Sequence, residues 1–186
     1  RNLLFVTIGL WVFAVVGNAS ADLVLVENGQ ARAHVVVADT APPLVRDAAA
    51  DLVRVVKRVS DAELALVVES ESDPASPRIL IGACSVPPDL EADPAVIKGD
   101  EAYAGYVIAC EHNVLALTGN SATGTANAVY GFLQDQLGVR WFLPMDLFEI
   151  VPHLKTVAVP EMRHVVTPSF VCRYGWASWQ GENKAW

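Results

Sequence analysis

The order of the predicted secondary structure elements most constrains the fold, because strands come in consecutive pairs with only two helices between them. Strand-like apolar runs cover residues 23–27, 33–38, 64–69, 78–83, 103–111, 114–118 and 156–159. A doubly wound parallel sheet would alternate strand and helix throughout. Short connections between consecutive strands instead favour antiparallel pairing. The sequence therefore predicts an α+β fold, in which a mixed, largely antiparallel sheet carries both helices on one face.

Two short turn sequences indicate hairpins. Asn28-Gly29 stands between the first two apolar runs, and Asn-Gly in that setting is the strongest short hairpin signal. His112-Asn113 stands between runs 103–111 and 114–118. We expect each dipeptide to join its two flanking runs as an antiparallel pair.

Apolar residues at helical spacing predict the two helices. The first helix begins at Pro42-Pro43, where a proline in the first turn loses no hydrogen bond. Its apolar stripe is Leu44, Val45, Ala48, Ala49, Leu52, Val55, Val56 and Val59. The second helix has the stripe Ala126, Val129, Tyr130, Leu133 and Leu137, with Phe132 just off it and Gly138 as the residue that ends it.

The loop from Gly119 to Gly124 has the strand-loop-helix setting of a phosphate-binding loop. That motif needs Lys and then Ser or Thr directly after its second glycine. Here Thr125 and Ala126 occupy those positions, so we predict no nucleotide partner. Gly119 and Gly124 are instead expected to shape a tight entry into the helix, with Ser121 or Thr123 as its N-cap.

The first 21 residues have the layout of a secretory signal peptide. Arg1 precedes an uncharged apolar run over 3–17, and Ala19-Ser20-Ala21 supplies small residues before a cut after Ala21. The alternative is a transmembrane anchor, but the run is shorter than the roughly 20 residues of a spanning helix. We therefore expect export to the periplasm or the cell exterior.

Charge and the potential metal ligands argue against several function classes. Thirteen Lys and Arg against 21 Asp and Glu give a formal net charge of −8, and no basic cluster suits nucleic acid. The four histidines and three cysteines lack metal-ligand spacing, so we predict no metal and no cofactor. Cys84 and Cys110 would form a disulfide if their strands were neighbours; otherwise they are buried thiols.

Residues 116–152 carry a family resemblance. They combine the Gly119–Thr125 loop, a helix with Ala128-Val129-Tyr130-Gly131-Phe132-Leu133, and Leu137-Gly138-x-Arg140-Trp141-Phe142-x-Pro144. This block resembles the N-terminal accessory domain of exported bacterial glycoside hydrolase-like proteins, and so that of the family 67 α-glucuronidases. It resembles more distantly the second domain of the family 20 β-hexosaminidases.

Beyond the signal peptide at 1–21, the resemblance implies an accessory domain at 22–165 and the start of a catalytic (β/α)8 barrel at 166–186. The catalytic carboxylates would lie further along the barrel, which is the domain's expected partner. Residues 1–186 alone are thus expected to be inactive, in a parent that hydrolyses polysaccharide or oligosaccharide. Arg173, Tyr174 and Trp176 would lie near the sugar site, although Trp176 could equally pack at the domain junction. The alternative is a free-standing carbohydrate-binding or scaffolding module.

Overall fold

The computed structural model describes residues 22–87, 90, 96, 99–143 and 148–171. The predicted signal peptide and the residues from 172 onward, which include most of the predicted barrel start, lie outside this part. None of the helices in these ranges has the length and apolar character needed to cross a membrane.

Strands and two long helices make up the described residues. The strands are β1 (Leu23–Glu27), β2 (Gln30–Ala31), β3 (His34–Val37), β4 (Ala65–Val68), β5 (Arg78–Ile81), β6 (Tyr106–Glu111), β7 (Val114–Gly119), β8 (Arg140–Trp141), β9 (Glu149–Ile150), β10 (Val157–Val159) and β11 (Met162–Val166). The helices are α1 (Pro43–Ser60) and α2 (Ala122–Asp135). Two 3-10 turns cover Glu69–Glu71 and Glu101–Tyr103.

The main sheet has six strands in the order β11-β6-β7-β5-β3-β4. Strands β7, β5, β3 and β4 are parallel, whereas β6 and β11 run antiparallel to their neighbours. A three-stranded sheet, β10-β1-β2, and the β8–β9 pair are antiparallel. The predicted mixed α+β fold with two helices is thus confirmed, and its antiparallel pairs outnumber the parallel ones.

One predicted hairpin is confirmed and the other has a different second arm. His112-Asn113 joins β6 to β7, with Glu111 opposite Val114. Asn28-Gly29 also forms a turn, at φ 51° and 75°, but it leads into β2 rather than into the run at 33–38. That run becomes β3 between β4 and β5. Its valines are buried on both faces of the strand, which suits a central parallel strand better than a hairpin arm.

Both helices cover the same face of the main sheet. They contact each other, and the Tyr130 hydroxyl on α2 donates to Asp51 Oδ2 on α1 at 2.8 Å. The Tyr106 side chain of β6 lies against Gly131 of α2, which identifies the covered face. By strand alternation and register, that face includes Val35, Val37, Ile79, Ile81, Ile108, Leu115 and Leu117.

The opposite face is also buried. It includes Val36, Leu80, Val107, Ala109 and Ala116. The connection between β4 and β5, residues 69–77, runs past β3 on this side, because His34 on the same face contacts Ser72 at 3.0 Å. We call residues 69–77 the crossover. The helices on one face and the crossover on the other therefore explain why β3 is apolar on both faces.

The Tyr130–Asp51 contact predicts a loss of stability at high pH. Burial, followed by the hydrogen bond to Asp51, raises the pKa of Tyr130 to about 12. The folded-state pKa is above the usual value of 10, so this contribution is present below pH 10 and is lost as the pH rises through 12. Tyr130→Phe should cost about 1 kcal/mol at neutral pH. In urea unfolding, the difference in unfolding free energy between wild type and variant should be smaller near pH 11 than at neutral pH. A difference that does not change with pH would contradict this.

Candidate functional site

The natural place to look for a site is the carboxyl edge of the main sheet, where the parallel strands β3, β4, β5 and β7 end. In open sheets with parallel strands, ligands bind outside these strand ends. The glycine loop predicted from the sequence lies here, because β7 ends at Gly119 and α2 starts at Ala122. The last residue of β11, Val166, reaches the same edge, since it pairs with Tyr106 and Tyr106 pairs with Gly119.

Gly119 and Gly124 hold three backbone segments in close contact. A Cβ added at Gly119 would lie closer than 3.0 Å to the backbone of Gly124 and Thr125. A Cβ added at Gly124 would lie 2.6 Å from the Gly105 carbonyl oxygen, just before β6. Real Cβ atoms do not approach backbone atoms so closely, so only glycine fits at either position. The loop therefore packs the end of β7 and the start of β6 directly against α2.

The polar groups of this loop are used within the protein. Ser121 is the N-cap residue of α2: its Oγ accepts a hydrogen bond from the Gly124 amide at 3.1 Å. Thr125, only 3% exposed, accepts from the Gly119 amide at 3.2 Å. The Asn120 side-chain amide donates to the carbonyls of Gly99 and Asp100. The loop thus joins strand, helix and the β5–β6 connection.

Thr125→Val tests this interpretation of the loop. Valine keeps the shape of threonine but removes the acceptor of the partly buried Gly119 amide. A typical intramolecular hydrogen bond contributes about 0.5–1.5 kcal/mol to stability, so we expect a loss of that size in urea unfolding. Thr123→Val, at an exposed position in the same helical turn, is the matched control. Equal effects of the two substitutions would mean that the Thr125 hydroxyl has no special role.

Gly138 turns the chain after α2. The helix ends at Asp135, and Gly138 follows with φ 72°. The Val139 amide then donates to the Leu133 carbonyl at 3.1 Å, which directs the chain into β8. Gly138 therefore has a conformational role in leaving the helix.

Two acidic residues at the carboxyl edge hold neighbouring loops. Asp39, after β3, accepts from the Ser70 hydroxyl at 2.5 Å and from the Ser70 amide at 3.3 Å. Glu69, after β4, accepts from the Ser85 amide at 2.7 Å. Glycoside hydrolysis needs a carboxylate pair that faces the scissile bond. Asp39 and Glu69 are instead bound to serines of adjacent turns, which is a loop-stabilising arrangement.

The two described cysteines are buried free thiols, so the disulfide considered between them is not formed. Strand β7 separates β5 from β6. In addition, Cys84 follows the carboxyl end of β5, whereas Cys110 pairs with Leu115 near the start of β7. Burial raises the pKa of Cys84 to about 11 and that of Cys110 to about 12. Neither thiol is therefore activated as a nucleophile.

The histidine contacts given by the described residues are separate from one another. His34 contacts Ser72, and His153 lies 3.6 Å from an Asp61 carboxylate oxygen. Among the described residues, no group of three or more His, Cys, Asp or Glu is placed to share a metal ion.

Three predicted sugar-contacting residues, Arg173, Tyr174 and Trp176, lie outside the described residues. The structure shows where the chain approaches them. Val166 ends β11 at the carboxyl edge, and its carbonyl oxygen lies close to Gly105. Residues 167–171 therefore continue from the edge that also carries the glycine loop.

Phe142 follows the second helix directly, beside Trp141, and the sequence therefore predicts that it lies in the core; this prediction is wrong, because Phe142 is exposed. It is 64% exposed, although it directly follows Trp141, and both belong to the same apolar motif. Trp141 faces inward: its ring stacks edge-on against Tyr130 at 6.0 Å and its Nε1 donates to Glu149 at 2.7 Å. Successive residues of an extended chain point to opposite sides, so Phe142 points outward. From the sequence, the outward direction of Phe142 could have been predicted only by first assigning residues 140–141 to a strand.

Comparisons with known proteins give a likeness in fold. No protein-family model matches the chain, and none of the curated proteins matches it. Among solved structures, one neighbour is described as a family GH115 4-O-methyl-α-glucuronidase, BtGH115A, with specificity for decorated arabinogalactans; the TM-score is 0.61 at 20% identity. The likeness covers 80% of this chain but only 19% of that enzyme. A weaker neighbour, the glycoside hydrolase CpGH84D, has a TM-score of 0.38 at 13% identity, covering 74% of this chain and 21% of that one.

Proposed function

We propose that this chain is the N-terminal, non-catalytic domain of a secreted glycoside hydrolase, and that a (β/α)8 barrel carrying the catalytic residues follows it. The observation that carries the proposal is the fold likeness to a glycoside hydrolase of which this chain spans about a fifth. An accessory domain of a large enzyme would span a fraction of this size.

The chemistry of the carboxyl edge supports a non-catalytic role. The glycine loop uses its hydroxyls and amides to join β7 to α2. The carboxylates of Asp39 and Glu69 bind serines of neighbouring turns. These groups stabilise the domain and are already engaged, whereas a catalytic acid and base must be available to substrate.

The finer part of the proposal is an α-glucuronidase-like parent acting on polysaccharide. Arg173 would bind the carboxylate of a uronic acid, because a guanidinium pairs with a carboxylate through two parallel hydrogen bonds. Tyr174 and Trp176 would contact the faces of sugar rings. The apolar run at 3–17 would direct the protein out of the cell.

A second candidate function is a carbohydrate-binding module, which the exposed Phe142 ring favours. The remaining aromatics speak against a binding platform. Phe132 is fully buried, and Trp141 and Tyr130 are partly buried against the core and contact each other. Among the described residues of 22–165, Phe142 is the one exposed aromatic ring. That is a small surface for holding a polysaccharide, so we place this function second.

Activity of the complete gene product tests the proposal. We expect it to release uronic acid from a decorated arabinogalactan or a glucuronoxylan, and residues 22–186 alone to release none. Arg173→Ala in the complete protein should lower kcat/KM by about a hundredfold if Arg173 holds the uronate. Turnover by residues 22–186 would overturn the non-catalytic assignment. Tight polysaccharide binding by residues 22–165, abolished by Phe142→Ala, would favour the binding module.

A further inference from the structure

The crossover is attached to the main sheet near the start of β3 by one titratable side chain. His34 Nε2 lies 3.0 Å from Ser72 Oγ, and the His34 backbone amide donates to the Pro77 carbonyl at 3.2 Å. The first two residues of the crossover are held by other contacts: Ser70 binds Asp39, and Glu69 binds Ser85. His34 therefore contacts the crossover at Ser72 and again at Pro77, where the crossover ends.

A permanent positive charge lies beside His34. Arg78 occupies the same register position on the adjacent strand β5, so both side chains emerge on the crossover side of the sheet. The buried Arg78 Nε has no hydrogen-bond partner. A second cation at this place would meet a guanidinium whose charge is incompletely compensated.

The charged groups of the described residues that act on His34 are Arg78 and Asp73. Burial, and after it Arg78, lowers the pKa of His34 from 6.5, while Asp73 and the Pro77 carbonyl oppose the shift. Asp73 accepts from the Ser76 hydroxyl and the Ala75 amide, and these bonds lower its own pKa below 3.8. Its charge therefore stays constant while His34 titrates.

We propose that His34 and Arg78 form an acid-sensitive latch: the crossover lies on the sheet while His34 is neutral, and protonation of His34 releases it. The Ser72 hydroxyl can pair with either form of the ring, because it both donates and accepts. The repulsion between imidazolium and guanidinium decides the outcome. In the released form His34 is hydrated and farther from Arg78, so it binds a proton more readily.

The sign of the pH dependence follows from linkage. The released form has the higher pKa, near 6.5, so release is favoured as the pH falls below that value and levels off below the pKa of the closed form. Above pH 6.5 the latch stays closed. Because one proton is bound, the opening constant rises by no more than about tenfold per pH unit.

Hydrogen exchange measured on the purified protein tests the latch. Between about pH 7.5 and 5, corrected for intrinsic exchange, amides of residues 69–77 should lose protection by at least about twofold relative to α1. His34→Gln should remove this pH dependence, and His153→Gln, at an exposed histidine, should retain it. Arg78→Gln keeps the titrating ring, so it should raise the His34 pKa seen by NMR and weaken the pH effect.

Three results would overturn the latch. They are a crossover whose protection is the same at both pH values, a pH response that survives His34→Gln, and a His34 titration that Arg78→Gln does not move. Should His34→Gln fail to fold, the Arg78→Gln titration decides alone.

Discussion

Replacing Gly119 with alanine is expected to destabilise the protein by at least about 3 kcal/mol, because the new methyl group would overlap backbone atoms that cannot rotate away. A Cβ at Gly119 would meet the backbone of Gly124 and Thr125. Relieving that overlap means separating β7 from α2, and this also breaks the bond between the Gly119 amide and Thr125. Urea unfolding of the variant measures the loss.

Gly131→Ala is the matched control, since it makes the same chemical change within α2. There the added methyl group would meet the Tyr106 hydroxyl oxygen at 2.9 Å and its ring at 3.3 Å, and the far end of a side chain can shift. Alanine also gains helix propensity over glycine by about 1 kcal/mol, so the net change should be small. Equal losses from the two substitutions would show that Gly119 is not the close contact described.

The second large effect is expected at Phe132. Its side chain is fully buried, at 0% exposure, in the hydrophobic core. Truncation of a buried phenylalanine to alanine costs about 3–5 kcal/mol, from lost apolar burial and the cavity that remains. We expect Phe132→Ala to lose that amount in thermal or urea unfolding.

Phe142→Ala is its control, because the same side chain is removed at an exposed position. Exposed substitutions usually change stability by less than about 0.5 kcal/mol. A large loss at Phe142, or a small one at Phe132, would contradict the burial assigned to these two rings.

Most of the elements could be predicted from the sequence, because the long helices and apolar strands carry local signals, but β11 at the edge of the main sheet was not predicted. The apolar stripe of α1 and the turn at His112-Asn113 are examples. Strand partners could not be predicted as well. Asn28-Gly29 forms the predicted turn, but the run at 33–38 does not pair with β1. It forms β3 in the main sheet instead. Tertiary burial of a strand on both faces outweighed the local hairpin preference there.

Helix faces show the same limit. The stripe of α2 placed Tyr130 inside and Phe132 just off it, yet Phe132 is the fully buried ring and Tyr130 is partly exposed. Helix α2 packs against both the sheet and α1, so its buried surface is wider than one stripe. A periodicity argument assumes a single partner surface and misses the second.

The candidate site could be predicted in part. The glycine loop was located from its spacing, and the absence of its lysine argued against a phosphate ligand. The engagement of Asp39 and Glu69 could not be foreseen, since their partners Ser70 and Ser85 belong to other strand connections. Long-range convergence of this kind leaves no local pattern in a sequence.

The central claim is that this chain is one domain of a larger glycoside hydrolase, and the most direct test is to read the transcript beyond the codon for Trp186. The account predicts an open frame of roughly 250 further codons or more, enough for a (β/α)8 barrel. It should alternate strand and helix and carry acidic residues at strand ends. A stop codon soon after Trp186 would contradict the account, because no barrel would then follow the domain.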